Sequence, residues 1–259
     1  MKKAVFITVR TDSSRLPNKA VLHFLGKPII ELIALRTKLV RGVDEVVLCT
    51  TERPIDDELV NIAERTGIKY FRGNLNDKLE RWLGAARQFN IDCFATMDGD
   101  DPLGDPELVE VAINQMEIDN RDFIRAPKGM ICGAFTYCIR TSALEKVCAI
   151  KGTDETEMMW VYFEDTGLFR VADLDVTDPI FFDDGIRLTL DYPEDFRFFT
   201  TIFEHFGCKD NDVPLREIVP FLRLHPEICH INAYRQKDFI ENQKRKTKLI
   251  VKGVEALYK

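Results

Sequence analysis

The chain opens Met1-Lys2-Lys3-Ala4-Val5-Phe6-Ile7-Thr8-Val9 and then turns polar, Arg10-Thr11-Asp12-Ser13-Ser14-Arg15-Leu16-Pro17-Asn18-Lys19. Ala4–Val9 is short, continuous and rich in β-branched residues, as expected of a strand buried on both faces. A secretory leader would need a longer apolar stretch and a small-residue cleavage site, so a first core strand is expected instead. The same unit then recurs. After Gly26-Lys27-Pro28, the apolar spacing over Ile29–Val40 predicts a helix, with Pro28 suited to its start. Strands are predicted at Glu45–Thr50, Lys69–Phe71 and Asp92–Met97. Helices are predicted at Asp56–Arg65, ended by Gly67, and at Asp77–Phe89 and Pro106–Ile118. Strands and helices alternating at this spacing argue for a largely parallel sheet covered on both faces, with right-handed crossovers.

The second half is less regular. Phe123–Ala126 and Ala134–Ile139 read as strands, and Thr141–Cys148 as a short helix. Segment 151–185 gives no clear pattern. Ile186–Leu190 reads as a strand, Glu194–Phe206 as a helix and Pro214–Leu224 as the last helix. No linker, repeat or low-complexity tract interrupts the chain. One domain over 1–259 is expected, with an insertion near 122–183.

Composition bounds the function. The 259 residues carry 36 Lys plus Arg against 43 Asp plus Glu, a net charge of −7. Bulk charge of that sign disfavours a protein that coats nucleic acid or an anionic membrane. No apolar run approaches the ~20 residues of a spanning helix. The seven cysteines (Cys49, Cys93, Cys132, Cys138, Cys148, Cys208, Cys229) include no Cys-x-x-Cys pair. Reduced thiols and a cytoplasmic location are expected.

In an open parallel sheet, ligands bind where the carboxyl ends of strands meet their loops, and three such loops carry unusual residues. Arg10, Ser13, Ser14, Arg15 and Lys19 follow the first strand. Guanidinium, ammonium and hydroxyl donors match a polyphosphate, although a solvated basic loop would have the same composition. The spacing is not that of a Walker A loop, and the loop lacks the glycines of a dinucleotide site. Met97-Asp98-Gly99-Asp100-Asp101-Pro102-Leu103-Gly104-Asp105-Pro106 concentrates carboxylates that repel unless a cation intervenes. Hard oxygen donors of this kind suit Mg²⁺ or Mn²⁺; the alternative is an acidic turn. Asp105, just before Pro106, is a helix cap. Leu188-Thr189-Leu190-Asp191-Tyr192-Pro193-Glu194-Asp195 offers a second carboxylate after a predicted strand, or simply another helix cap.

Taken in order, these stretches resemble the cytidylyltransferases that activate acidic sugars, such as acylneuraminate and 3-deoxy-manno-octulosonate synthetases. The closest likeness is to the branch of spore coat polysaccharide biosynthesis protein F. The resemblance runs through Ser13–Lys19, Leu25-Gly26-Lys27-Pro28-Ile29-Ile30, Cys49-Thr50-Thr51 with Asp56-Asp57, and Phe71-Arg72-Gly73-Asn74. It continues through Asp77-Lys78-Leu79-Glu80-Arg81-Trp82, Gly99–Asp105 and Leu188–Asp195, spanning about residues 4–205. It implies a Rossmann-like nucleotide-diphospho-sugar transferase (GT-A-like) fold, Mg²⁺ dependence with Mn²⁺ as substitute, and attack of a sugar hydroxyl on the α-phosphorus of CTP. By the same resemblance, Arg10, Ser13, Ser14, Arg15, Lys19, Thr50, Arg72 and Asp98 bind nucleotide. Arg15, Lys19 and Asp100 act in catalysis, and Asp100 and Asp191 hold metal. The 122–183 insertion would build a homodimer contact and part of the pocket for an acidic sugar. Asn18 stands where the family usually has glycine, and asparagine tolerates the same left-handed backbone. Lys78 and Glu80 also depart from the branch's Asp-Val-Leu-Asp-Arg.

Two other readings use the same residues. Asp98-Gly99-Asp100 is also the DxD pattern of metal-dependent glycosyltransferases, but the basic Arg10–Lys19 loop suits a free triphosphate better. A nucleotidyltransferase acting on a phosphorylated or phosphonate acceptor fits as well. Arg125, Lys128 and Arg140 are candidates for an acceptor carboxylate, and Trp160, Tyr162, Phe163 and Phe169 for a pocket or core cluster. His225 and His230 are poorly spaced for zinc, and Lys244–Lys248 reads as a solvated helix face.

Overall fold

The structure, a computed structural model, describes residues 1–13, 15–207 and 209–253. Ser14 and Cys208 therefore lie outside the described residues. The first half runs β1 (Lys3–Thr8), the small hairpin β2 (His23–Phe24) and β3 (Lys27–Pro28), α1 (Ile29–Thr37), β4 (Glu45–Thr51), α2 (Asp57–Thr66), β5 (Lys69–Gly73), α3 (Lys78–Phe89), β6 (Cys93–Asp98) and α4 (Pro106–Ile118). Then come β7 (Phe123–Arg125), β8 (Tyr137–Arg140), α5 (Thr141–Ile150), α6 (Val161–Glu164), β9 (Val171–Asp173), α7 (Pro193–Phe206), α8 (Leu215–Leu224), α9 (Pro226–Cys229) and α10 (Arg235–Lys246).

The main sheet has seven strands in the order β5-β4-β1-β6-β8-β7-β9. β5, β4, β1 and β6 are parallel, β8 is antiparallel to β6 and β7, and β9 runs parallel to β7. The expected Rossmann-like sheet is thus formed. Each β1 face feeds its own core: Val5 and Ile7 pack with α1, α2, α4, α7 and α8, whereas Ala4 and Phe6 pack with α3, α5 and α6. That two-sided burial is why β1 is apolar without alternation. Gly67 ends α2 at φ 73, and Asp105 caps α4 by accepting from the N–H groups of Glu107 (2.8 Å) and Leu108 (3.2 Å). No helix among the described residues is long and apolar enough to cross a membrane.

Two expectations need correction. Ile186–Leu190 is buried but is not a sheet strand; it forms one isolated bridge, Arg187 to Cys132. Its N–H groups bond loop carbonyls instead, Leu188 to Cys132 at 2.7 Å and Leu190 to Asp100 at 2.6 Å. Apolar periodicity reports burial, and here a loop rather than a neighbouring strand satisfies the backbone. Pro214–Leu224 is not the last helix either, because α9 and α10 follow.

Candidate active site

β1 and β6 lie side by side with Thr8 paired to Asp98, so the loops leaving both strands start from one edge. Gly99 makes that possible: a Cβ there would lie 2.6 Å from Val9 Cβ. The loop after β1 is tied down at Thr11, whose N–H and hydroxyl both donate to Asp56. At its far end Asn18 takes the left-handed conformation, φ 55, and starts the single turn Lys19–Val21.

This turn aims Lys19 at the acidic groups. Its ammonium donates to Asp100 at 2.9 Å, to Asp191 at 2.9 Å and to the Leu190 carbonyl at 3.1 Å. Arg15 donates to the same Asp191 oxygen. From beneath, fully buried Arg187 reaches the other Asp191 oxygen at 3.2 Å and Asp195 at 3.1 Å. Tyr192, not Asp191, is the N-cap of α7, and Asp195 in the first turn accepts from the N–H groups of Asp191 (2.8 Å) and Tyr192 (2.9 Å). Burial opposes ionisation of Asp191, but Lys19 and Arg15 outweigh it and hold the carboxyl at about 2. Burial pushes Asp98 up, and Asp101 well up with further help from Asp100 and Asp98. Oxygens of Asp98, Asp100 and Asp101 lie within 4.8 Å of one another.

A cavity of about 600 Å³ opens over these groups, bordered by Arg10, Ser13, Arg15, Lys19, Asp98 and Asp100. Asp191 sits just behind, under Lys19. Thr50 and Arg72 do not border the cavity. Thr50 is buried in β4, and the Arg72 guanidinium is tied to the carbonyls of Thr51 (2.9 Å) and Arg53 (2.8 Å) and to Asp57 (2.6 Å). Of the candidate acceptor cations, only Arg125 reaches the wall, already paired with Glu164 (2.7 Å) and Asp173 (2.8 Å). Lys128 is exposed, and Arg140 bonds the carbonyls of Arg121 and Met116 at the other end of β8. Trp160 borders the cavity, while Tyr162 and Phe163 are core. His225 pairs with Glu227, and no metal-type cluster forms around it among the described residues.

Residues 4–157 match a family model described as cytidylyltransferase. The chain belongs to the cytidylyltransferase family. It is 31% identical over 244 residues to an uncharacterized protein of Methanocaldococcus jannaschii, covering 93% of this chain and 99% of that one. It is 24% identical to the spore coat polysaccharide biosynthesis protein SpsF of Bacillus subtilis, covering 85% and 94% of the two chains. Among solved structures, a cytidylyltransferase from Leptospira borgpetersenii superposes with a TM-score of 0.79 at 28% identity, covering 88% and 97%. The protein is therefore a nucleotidyltransferase enzyme.

The sequence did not single out several groups around this cytidylyltransferase cavity. Asp101 stood inside a quoted motif, and Arg187 inside the expected strand Ile186–Leu190, without a role. Lys78 and Arg81 border the cavity, and Arg81 is buried with its Nε unpartnered. The α10 residues Phe239, Asn242, Gln243 and Lys246 close one side. Of the basic cluster expected on a solvated face, Lys246 reaches Glu157 at 3.3 Å across the cavity rim. Polar helix faces carry no periodic signal that separates solvent from a polar cavity.

The donor set fits a divalent cation. Carboxylates of Asp100 and Asp191 converge on one point already held by a cation, the Lys19 ammonium, and hard oxygens surround it.

Proposed function

We propose that this cytidylyltransferase transfers CMP from CTP to a hydroxyl of an acidic sugar of the nonulosonic or 2-keto-3-deoxy type, releasing pyrophosphate, for surface polysaccharide or glycoconjugate synthesis. One observation supports this above the others: Arg15 and Lys19 from the N-terminal loop meet Asp100 and Asp191 from two distant segments. Displacement at phosphorus asks a protein mainly to align groups and neutralise charge. Arg10, Arg15 and Lys19 would carry the triphosphate charge, with Ser13 as a neutral donor beside them. Asp100 and Asp191, with Asp98 adjacent, would hold Mg²⁺ or Mn²⁺. Bound there, the ion would polarise the α-phosphate and lower the pKa of the attacking hydroxyl. Among the described residues no histidine borders the cavity, so the chain offers no imidazole base.

The acceptor reading leans on the family branch and on the cations Lys78, Arg81 and Lys246 along the wall. The relative named for spore coat polysaccharide biosynthesis supports a glycan destination. We place this work in the cytoplasm, in one domain over 1–259 whose 122–183 stretch contributes to the acceptor side and to a homodimer. Light scattering of the purified chain tests the dimer.

A pyrophosphate-release screen tests the reaction: four nucleotides against a panel of acidic sugars with Mg²⁺. Release is expected with CTP and an acidic sugar. Release only with another nucleotide, or only with neutral sugars, overturns the assignment. Release only with phosphorylated or phosphonate acceptors overturns the acceptor class.

A further inference from the structure

Lys19 borders the cavity, but its ammonium is spent on the acids. Three oxygens surround its ammonium, from Asp100, Asp191 and the Leu190 carbonyl, at 2.9, 2.9 and 3.1 Å. The two carboxylates need it unequally. Asp191 has two further cations, Arg15 and Arg187, and stays paired if Lys19 leaves. Asp100 has no other ion-pair partner among the described residues. Asp100 also lies within 4.8 Å of its neighbours Asp98 and Asp101, so a cation beside it relieves like-charge repulsion. An ammonium on a flexible four-carbon stem can exchange partners without moving the backbone. The cavity beside it offers a triphosphate the basic border of Arg10 and Arg15.

We infer that Lys19 is an exchangeable counter-ion: its ammonium holds the cation position between Asp100 and Asp191 until a divalent ion and a triphosphate arrive, the ion replacing it there and the phosphates receiving it. This rests on the reading of Asp100 and Asp191 as cation ligands. It makes the two ligands mutually dependent. A divalent ion alone must evict a lysine that has nowhere else to go, and a triphosphate alone must pull that lysine from its acids.

Manganese binding followed by electron paramagnetic resonance, on the full chain without nucleotide, tests this. Lys19→Met is expected to bind Mn²⁺ tenfold or more tighter than wild type, and adding Asp100→Asn should abolish the gain. A folded Lys19→Met that binds Mn²⁺ no tighter, with binding still lost on Asp100→Asn, overturns the counter-ion role and leaves the metal reading standing. Mn²⁺ binding that ignores Asp100→Asn overturns both.

A second measurement does not need the lysine variant alone to fold. CTP binding in excess chelator should tighten severalfold in Asp100→Asn, because Lys19 then has one charged partner fewer to leave, with only Asp191 and the Leu190 carbonyl still holding it. In the double variant Lys19→Gln/Asp100→Asn, which removes both partners together, that gain should vanish. A gain that persists without Lys19 reports mere loss of a repelling charge and overturns the inference, as does no gain at all.

Discussion

Asp56 accepts the backbone N–H of Thr11 at 2.8 Å and the Thr11 hydroxyl at 2.6 Å. Its second oxygen accepts from the Thr51 hydroxyl, so one buried carboxylate joins the loop after β1 to the end of β4. The substitution Asp56→Ala takes this partner from the Thr11 N–H and the Thr51 hydroxyl, while the Thr11 hydroxyl keeps the Ile55 carbonyl at 3.3 Å. Each buried unsatisfied donor costs about 1–3 kcal/mol, so a loss of roughly 2–4 kcal/mol in urea unfolding is expected. The loop carrying Arg15 and Lys19 loses its anchor, so the KM for CTP should rise severalfold more than kcat falls. An unchanged KM would show that the loop is set by other contacts.

The same carboxylate gives a pH signature. Burial favours the neutral acid, but the Thr11 and Thr51 hydrogen bonds and Arg53 outweigh it and hold Asp56 below its ordinary value of 3.8. A depressed native pKa contributes stability above the unfolded value, and that contribution is lost as pH falls through the native one. The stability gap between wild type and Asp56→Asn should therefore be constant above about pH 5 and narrow below 3.8. Denaturation series at several pH values check this. A gap that widens on acidification would reverse the sign and refute it.

Asp100 lies at the cavity edge among like charges, so its loss should spare the fold. On the proposed reading, in which Asp100 would hold the ion, Asp100→Ala removes a contact contributing several kcal/mol. At about 1.4 kcal/mol per tenfold, CTP-dependent pyrophosphate release should fall ~100-fold or more, with unchanged circular dichroism. Near-normal turnover in the folded variant would remove Asp100 from the metal site.

Gly133 stands at φ +88, and a Cβ there would come within 2.3 Å of the Leu188 carbonyl oxygen. The 186–191 segment, which ends in Asp191, is laid directly over it. Gly133→Ala combines a disfavoured backbone with a backbone clash, for a loss of roughly 2–4 kcal/mol. Because Asp191 rides on the displaced segment, turnover should drop in the fraction that still folds. A variant as stable and active as wild type would mean the segment tolerates a shift.

The first half was legible because its strands are buried on both faces and its helices carry their own start signals, such as Asp105-Pro106. Asn18 was legible too: a polar loop needing a left-handed residue held one of the few that tolerate it. The site motifs were readable as charges left after strands with no core to fill. Ile186–Leu190 misled because its burial is genuine while its hydrogen bonds go to loop carbonyls, which no one-dimensional pattern records. β9 is three residues long, too short to show a period. Arg187 was invisible as a buried support of Asp191, since its role depends on Asp191 and Asp195 converging in space. α10 buries none of its residues fully, so its position against the cavity leaves no hydrophobic stripe to read.

That last helix offers a clean separation of structure from function. Lys246 contacts Glu157 at 3.3 Å across exposed ground, and both side chains keep more than a third of their exposure. Exposed ion pairs contribute about 0–1 kcal/mol, so Lys246→Ala should unfold at the wild-type denaturant midpoint. If α10 forms part of the substrate-binding wall, the same variant should show a severalfold rise in one KM with kcat little changed. That pattern means uniform binding lost, not transition-state stabilisation. Initial rates with CTP and acceptor varied in turn identify which substrate the helix touches. Wild-type values of both KM constants would place Lys246 outside the occupied part of the cavity.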